Sequence, residues 1–385
     1  MTEKLYYKDS HLREFGATVL SCEPYKNGFC AVLDKTAFFP EGGGQLGDTG
    51  YIGNARVTDT RENGGEVVHY CDSLLDVGSK VECRIDWDVR FRRMQNHSGE
   101  HIVSGIVHSL FGYDNVGFHM GSEDITVDYN GYIESEELRR VEMLANRAVF
   151  DNLDICADFP TPEELEGMVY RSKLDLTENV RIVTVGDGLD VCACCAPHVK
   201  KTGEIGIIKL LDAIRYKGGI RIHLLCGFDA LCDYHNRYEQ IKSLANSLSV
   251  KQDEACEAVE RRLEEFAQLR YKYTKLKNEM LDSRASAIEP TDGNICIFED
   301  DGDYDILRKL ADAIADKCGG ISAAFGYNGK GYNYVLVSRH KDLRAMSGQI
   351  NSALSGRGGG SPSMIQGTAL CDRQTIEDYF GTEGL

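Results

Sequence analysis

From Phe228 to Glu289 the chain contains neither glycine nor proline, and this absence constrains its fold more than any other single feature. Without the residues that most readily end a helix, long helical segments are expected there. Ile241, Leu244 and Leu248, then Val259, Leu263, Phe266, Leu269, Tyr273, Leu276 and Met280, recur at three-and-four spacing among Lys, Arg and Glu. The pattern reads as a helical hairpin or coiled-coil arm over 230–288. Its apolar stripe packs either within the chain or against a second copy, as a homodimer.

The arm divides a chain of 385 residues, too long for one typical core. Before it, residues 1–89 read as short strands separated by turn signals, among them 17–20, 29–33, 55–57 and 80–85, which a small β-barrel would close. After Asp88 the period changes to a helical one over 91–111, a second helix is expected over 134–150, and strands return from Val180 to Cys226, making 90–229 an α+β domain. After Pro290 an α/β unit is expected over 289–385. Its elements are strand 295–298, a helix near 303–318, strands near 321–326 and 333–338, a helix near 342–353, and a glycine loop over 355–362. The fold class is thus α+β multidomain.

No apolar run approaches the ~20 residues of a membrane span. The first residues lack the basic start, apolar stretch and cleavage site of a signal peptide, so a cytoplasmic location is the default expectation. Fourteen cysteines in such a chain read as free thiols, some available to a metal. A net charge of −18 argues against coating nucleic acid by bulk attraction but leaves room for a local basic patch. Lys200, Lys201, Lys209, Arg215, Lys217 and Arg221 form the candidate.

Two ligand pairs stand about a hundred residues apart. His97 and His101, four apart on a helix, share a face and can reach one ion. Ser98 stands where a zinc metalloprotease would carry its glutamate base, which argues against that class. Further on, Cys192-Ala193-Cys194-Cys195-Ala196-Pro197-His198 offers soft thiolates beside an imidazole. With Cys194 and His198, the set holds three imidazoles and a thiolate, a match for zinc. Cys192 and Cys195 stay open as substitutes, and so does the choice between an ion that activates water and one that orients substrate.

These motifs resemble the AlaX alanyl-tRNA editing proteins, homologous to the editing region of alanyl-tRNA synthetase. Carrying the likeness, in order, are Thr36-Ala37-Phe38-Phe39-Pro40-Glu41-Gly42-Gly43-Gly44-Gln45 with Gly47-Asp48-Thr49-Gly50, His97 to His101, Cys194 to Val199, and Lys201-Thr202-Gly203-Glu204-Ile205-Gly206. The arm and the glycine segment before Met364 resemble the synthetases' C-terminal domain, which points to the long AlaX form, acting in trans with no aminoacylation domain before it.

The resemblance implies an aminoacyl-tRNA hydrolase for tRNA(Ala) mischarged with serine or glycine, amino acids that an alanine pocket excludes poorly. It implies zinc on His97, His101, Cys194 and His198, and Gly42, Gly43, Gly44 and Gln45 near the terminal adenosine. Glu100, His119 and Gln45 are the catalytic candidates. Thr36, with Lys200 and Lys201, completes the substrate-binding set. The metal turn departs from the synthetases' Cys-Gly-Gly-Thr-His, and Glu100 stands where they often have threonine. Rival readings are a non-catalytic tRNA-binding module with structural zinc and, from the C-terminal resemblance, a nucleic-acid phosphoesterase.

Overall fold

A computed structural model describes residues 2–121, 125–172, 179–300 and 302–381. They form two compact units, Met1–Ser243 and Leu244–Leu385. Among the described residues no helix is long and apolar enough to cross a membrane.

The first unit opens with six strands: β1 (Glu14–Tyr25), β2 (Gly28–Leu33), β3 (Gly50–Ile52), β4 (Ala55–Asn63), β5 (Glu66–Cys71) and β6 (Lys80–Ile85). They close on themselves in the order β1-β2-β5-β4-β3-β6. Alternation drives the closure: Phe15, Ala17 and Val19 of β1, Ala31 and Leu33 of β2, and Cys83 and Ile85 of β6 turn inward onto one core with Phe38 and Val57. His69 is fully buried there. Its Nδ1 lies 3.1 Å from the Ala31 carbonyl and its Nε2 2.9 Å from the Thr36 hydroxyl.

Helix α1 (Trp87–Phe111) follows, ended by Gly112 in the left-handed conformation. From Met94 to Val107 every side of it is buried, which its small residues allow. A side chain at Gly99 would meet the Cys226 sulfur at 2.2 Å, and one at Gly105 would meet the Leu189 carbonyl at 2.3 Å. Around it lie β7 (Asn115–Met120), β8 (Ile125–Tyr129), α2 (Ser135–Phe150), β9 (Ile155–Asp158), β10 (Ile182–Val185), β11 (Asp190–Ala193), β12 (Ile208–Tyr216) and β13 (Gly219–Cys226). The strands form two antiparallel sheets, β12-β13-β8-β7 and β9-β10-β11. Helix α3 (Phe228–Leu248) ends the unit and enters the next.

In the second unit the glycine-free stretch continues as α4 (Ala255–Ala287), whose Leu263, Phe266, Leu269, Tyr273, Leu276 and Met280 are exposed. A five-stranded sheet then combines β14 (Ile295–Glu299), β15 (Ser322–Tyr327), β16 (Tyr332–Val337), β17 (Arg357–Gly360) and β18 (Met364–Ala369) in the order β14-β15-β16-β18-β17. Its helices are α5 (Tyr304–Ala315), α6 (Leu343–Ala353) and α7 (Arg373–Gly381).

The glycine run differs from the expected loop: residues 357–360 are an edge strand paired with β18. A side chain at Gly358 would strike the Tyr334 hydroxyl at 2.1 Å, and one at Gly367 the Arg357 carbonyl at 2.2 Å. The glycines serve close strand approach.

Candidate metal centre and its cavity

Helix α1 carries His97 and His101 on one face, and the turn after β11 carries Cys194 and His198. The structure brings these four together, with one ligand atom of each within 4.8 Å of the others. The imidazoles converge on the thiol: Cys194 Sγ lies 3.5 Å from His97 Nε2 and 3.4 Å from His198 Nε2. His97, His101 and His198 are buried, while Cys194 is partly exposed. Burial disfavours the Cys194 thiolate, but the surrounding His97 and His198 outweigh it and hold the thiol well below its ordinary range. Burial pushes His198 down to about 3. At His101 burial is outweighed by the bonds to Asp190 and Cys194, which hold it well above its ordinary value, so the cluster sets a thiolate beside an imidazole whose proton a metal ion would displace.

Each imidazole is held from behind. His97 Nδ1 lies 3.1 Å from Gln45 Oε1, His101 Nδ1 2.8 Å from Asp190 Oδ2, and His198 Nδ1 3.0 Å from Ser98 Oγ. With Nδ1 as the donor in each pair, all three Nε2 lone pairs face the centre. Such partners fix tautomer and ring orientation for metal ligation. Arg171 grips Asp190 in turn, Nε to Oδ1 at 2.7 Å and Nη2 to Oδ2 at 2.9 Å. His101, Asp190 and Cys192 form a second close cluster, but this bidentate clamp commits Asp190 to His101 and Arg171. Three nitrogens and one sulfur, in tetrahedral number, fit a borderline-soft ion better than an oxygen-seeking one.

The glycine loop reaches the centre because α1 pins its far end. Arg90 and Asp48 are 0% and 1% exposed. Arg90 Nε donates to Asp48 Oδ2 at 2.7 Å and its Nη2 to the Ala37 carbonyl at 2.6 Å, while the Phe39 amide donates to the same carboxylate oxygen at 2.7 Å. Between these anchors Gly44 has φ +83°, and a side chain there would meet Phe118 at 2.7 Å. Gly43 lies against the Cys195 sulfur and the His97 ring. Gln45 is fully buried, and its Nε2 has no hydrogen-bond partner among the described residues.

A cavity of about 440 Å³ opens over three of the four, His97, His101 and Cys194, and is lined also by Gly43, Gly44, Glu100, Asn115 and Phe118. This is the size range of small-ligand sites. Glu100 is buried and its Oε1 accepts hydrogen bonds from Ser104 Oγ and from Asn115 Nδ2, which fixes the carboxylate in the wall.

Other sequence candidates lie elsewhere. His119 is exposed and lines a separate depression with Gly42 and Gln45. The cause is strand alternation: Phe118 packs 4.8 Å from the His97 ring, so its neighbour on β7 turns away. Thr36 is buried and its hydroxyl is engaged by His69 and by the Phe38 amide at 3.1 Å. Lys200 and Lys201 are exposed and ion-paired with Asp9 and Asp154. Sequence reasoning missed Asp190, Ser98 as a partner of His198, Arg171 and Arg181. Only Asp190, two residues before Cys192 in the cysteine-rich run, offered a local signal.

Two family models match. Residues 5–89 match the class II (A) tRNA synthetases, and 180–223 the threonyl and alanyl tRNA synthetase second additional domain. Two stretches of the chain are thus similar to parts of these synthetases. It is 28% identical over 396 residues to the alanyl-tRNA editing protein AlaX-L of Pyrococcus horikoshii, covering 98% of this chain and 97% of that protein. The resemblance to the AlaX editing proteins thus holds along nearly the whole chain. Alanine–tRNA ligases of Natronomonas pharaonis and Archaeoglobus fulgidus are 33% and 31% identical, covering 95% and 98% of this chain. The chain spans 42% and 44% of those ligases' lengths. A solved C-Ala domain of Aquifex aeolicus alanyl-tRNA synthetase aligns with 23% of this chain and 86% of that one at 17% identity, with a TM-score of 0.20, too low to argue a shared fold.

Proposed function

We propose that this chain is a trans-acting editing hydrolase that cleaves the ester of tRNA(Ala) mischarged with serine or glycine, with zinc held by His97, His101, Cys194 and His198. The observation that carries the reading is the convergence of three oriented imidazoles on one thiol, with His97, His101 and Cys194 facing the cavity. The near full-length likeness to an alanyl-tRNA editing protein supplies the substrate class. In this reading residues 1–89 present the glycine loop, 90–229 hydrolyse, and 230–288 and 289–385 serve as arm and tRNA-binding-like domain.

A zinc ion bound there would supply a positive charge beside the ester. The protein's part is positioning, which carries much of the rate for an activated ester. Glu100, fixed by Ser104 and Asn115, accepts a hydrogen bond from the attacking water or the substrate's ammonium group. Gly43 and Gly44 let the ester approach the backbone without a side chain in the way. Gln45 acts through His97, as a positioning residue.

The test is deacylation of seryl-, glycyl- and alanyl-tRNA(Ala) by the purified chain, before and after chelation and zinc restoration. The expected result is hydrolysis of the seryl or glycyl ester, sparing of the alanyl ester, loss on chelation and recovery with zinc. Tight tRNA binding without hydrolysis would instead favour a binding module, and manganese-dependent phosphodiester cleavage a phosphoesterase.

A further inference from the structure

One wall of the cavity is aromatic and plays no part in holding the four ligands. Tyr7, in the turn Leu5–Tyr7, and Phe159, just after β9, both line it. Their ring centroids lie 5.3 Å apart at 74°, an open corner, and Phe159 remains 51% exposed. Arg181 closes the third side. Its guanidinium sits 5.2 Å from the Tyr7 ring, and it is only 7% exposed. Nη1 of Arg181 donates to the carbonyls of Cys194 at 3.0 Å and Ala196 at 2.7 Å, tying the corner to the metal turn. Its Nε is buried and has no hydrogen-bond partner among the described residues.

An exposed phenylalanine on the cavity wall and a buried guanidinium N–H without an acceptor among the described residues ask for one ligand. That ligand needs a flat apolar face and an oxygen acceptor close together. A nucleotide has both, because base faces stack on aromatic rings and on guanidinium planes. The ester in the proposed reaction joins the amino acid to the terminal ribose, so the base on that ribose must meet the wall next to the ligands.

We propose that Tyr7, Phe159 and Arg181 form the subsite for the 3′-terminal adenosine of the tRNA. Adenine stacks on Phe159 with its edge towards Tyr7, and the Arg181 guanidinium supplies a positive charge for a ribose or phosphate oxygen. This assignment rests on the editing reading and names three residues that it would require.

The experiment is calorimetric titration of the zinc-loaded full chain with the trinucleotide CCA and with a CCA analogue lacking the terminal base. Loss of one stacked base weakens binding roughly tenfold to a hundredfold. The wild type should show that difference, and Phe159→Ala should bind CCA that much more weakly and no longer distinguish the two ligands. Phe159→Trp should restore discrimination, while Phe150→Ala, which removes an exposed ring on α2, should match the wild type. Undiminished CCA binding by Phe159→Ala, retained discrimination in it, or no CCA binding by the wild type would overturn the subsite. If the wild type deacylates mischarged tRNA and Phe159→Ala does so with unchanged KM, the subsite falls while the editing reading stands. If the wild type deacylates no aminoacyl-tRNA, that reading falls instead.

Discussion

Replacing Arg90 by Met tests how the glycine loop is held at the metal centre. The substitution keeps the bulk of the side chain but leaves the Asp48 carboxylate, 1% exposed, without its nearer cation and two of its donors, with Arg93 Nη1 still 3.9 Å from Oδ1. Removing one partner of a buried ion pair costs about 3–5 kcal/mol, because the remaining charge stays desolvated. For a unit of this size each kcal/mol moves the melting midpoint by about 2–4 °C, so a fall of roughly 6–20 °C is expected. The chain has a single tryptophan, Trp87, stacked on Phe91 at 5.4 Å and beneath Arg13 at 4.2 Å. Its fluorescence therefore reports the first unit alone. Adding Asp48→Leu to Arg90→Met should recover part of the loss, and only part, because the Phe39 amide then loses its acceptor. A midpoint shift under about 2 °C for Arg90→Met would mean a cost below 1 kcal/mol and would refute the reasoning.

Further outcomes follow from the same contacts. Burial holds His69 down to about 4 against an ordinary 6.5, so the unfolded chain takes up a proton in that window and the folded one does not. Stability from this group is complete above 6.5 and falls by roughly 3 kcal/mol as pH drops to about 4; denaturation midpoints read on Trp87 should lose that slope in His69→Gln, and an unchanged slope would contradict it. Asp190→Asn should weaken zinc binding by about 10–100-fold in a competition titration, as loss of a carboxylate behind a ligating imidazole does; unaltered affinity would deny Asp190 that role. Gly44→Ala strains a residue at φ +83° and drives a methyl into Phe118, so a loss of more than about 1 kcal/mol is expected in thermal unfolding, and a neutral result would mean the loop is not built as described.

The long helix α1 and the elements 295–299, 322–327 and 332–337 were legible because their apolar periods are local properties of the chain. The histidine pair was legible for the same reason, since four-residue spacing on a helix has one geometric consequence. Cys194 could not be told from Cys192 and Cys195 by spacing, because the distinction depends on where the turn after β11 meets α1. Arg90 reaches Asp48 across 42 positions, a pairing no local pattern encodes. The position of His119 outside the cavity was not legible, because its strand offers two faces, and Phe118 takes the one towards His97. The glycine run read as a loop because glycine marks turns more often than strands. Here β17 needs it to lie against Gly367 and Tyr334.

The central claim, one ion held by three imidazoles and a single thiolate, is tested most directly by zinc K-edge X-ray absorption on the metal-loaded protein. The account predicts about one zinc per chain, with nitrogen neighbours at about 2.0–2.1 Å and one sulfur at about 2.3 Å. That sulfur shell should vanish in Cys194→Ala and persist in Cys192→Ala and Cys195→Ala. A spectrum without sulfur in the wild type, or a sulfur shell unaltered by Cys194→Ala, would contradict it.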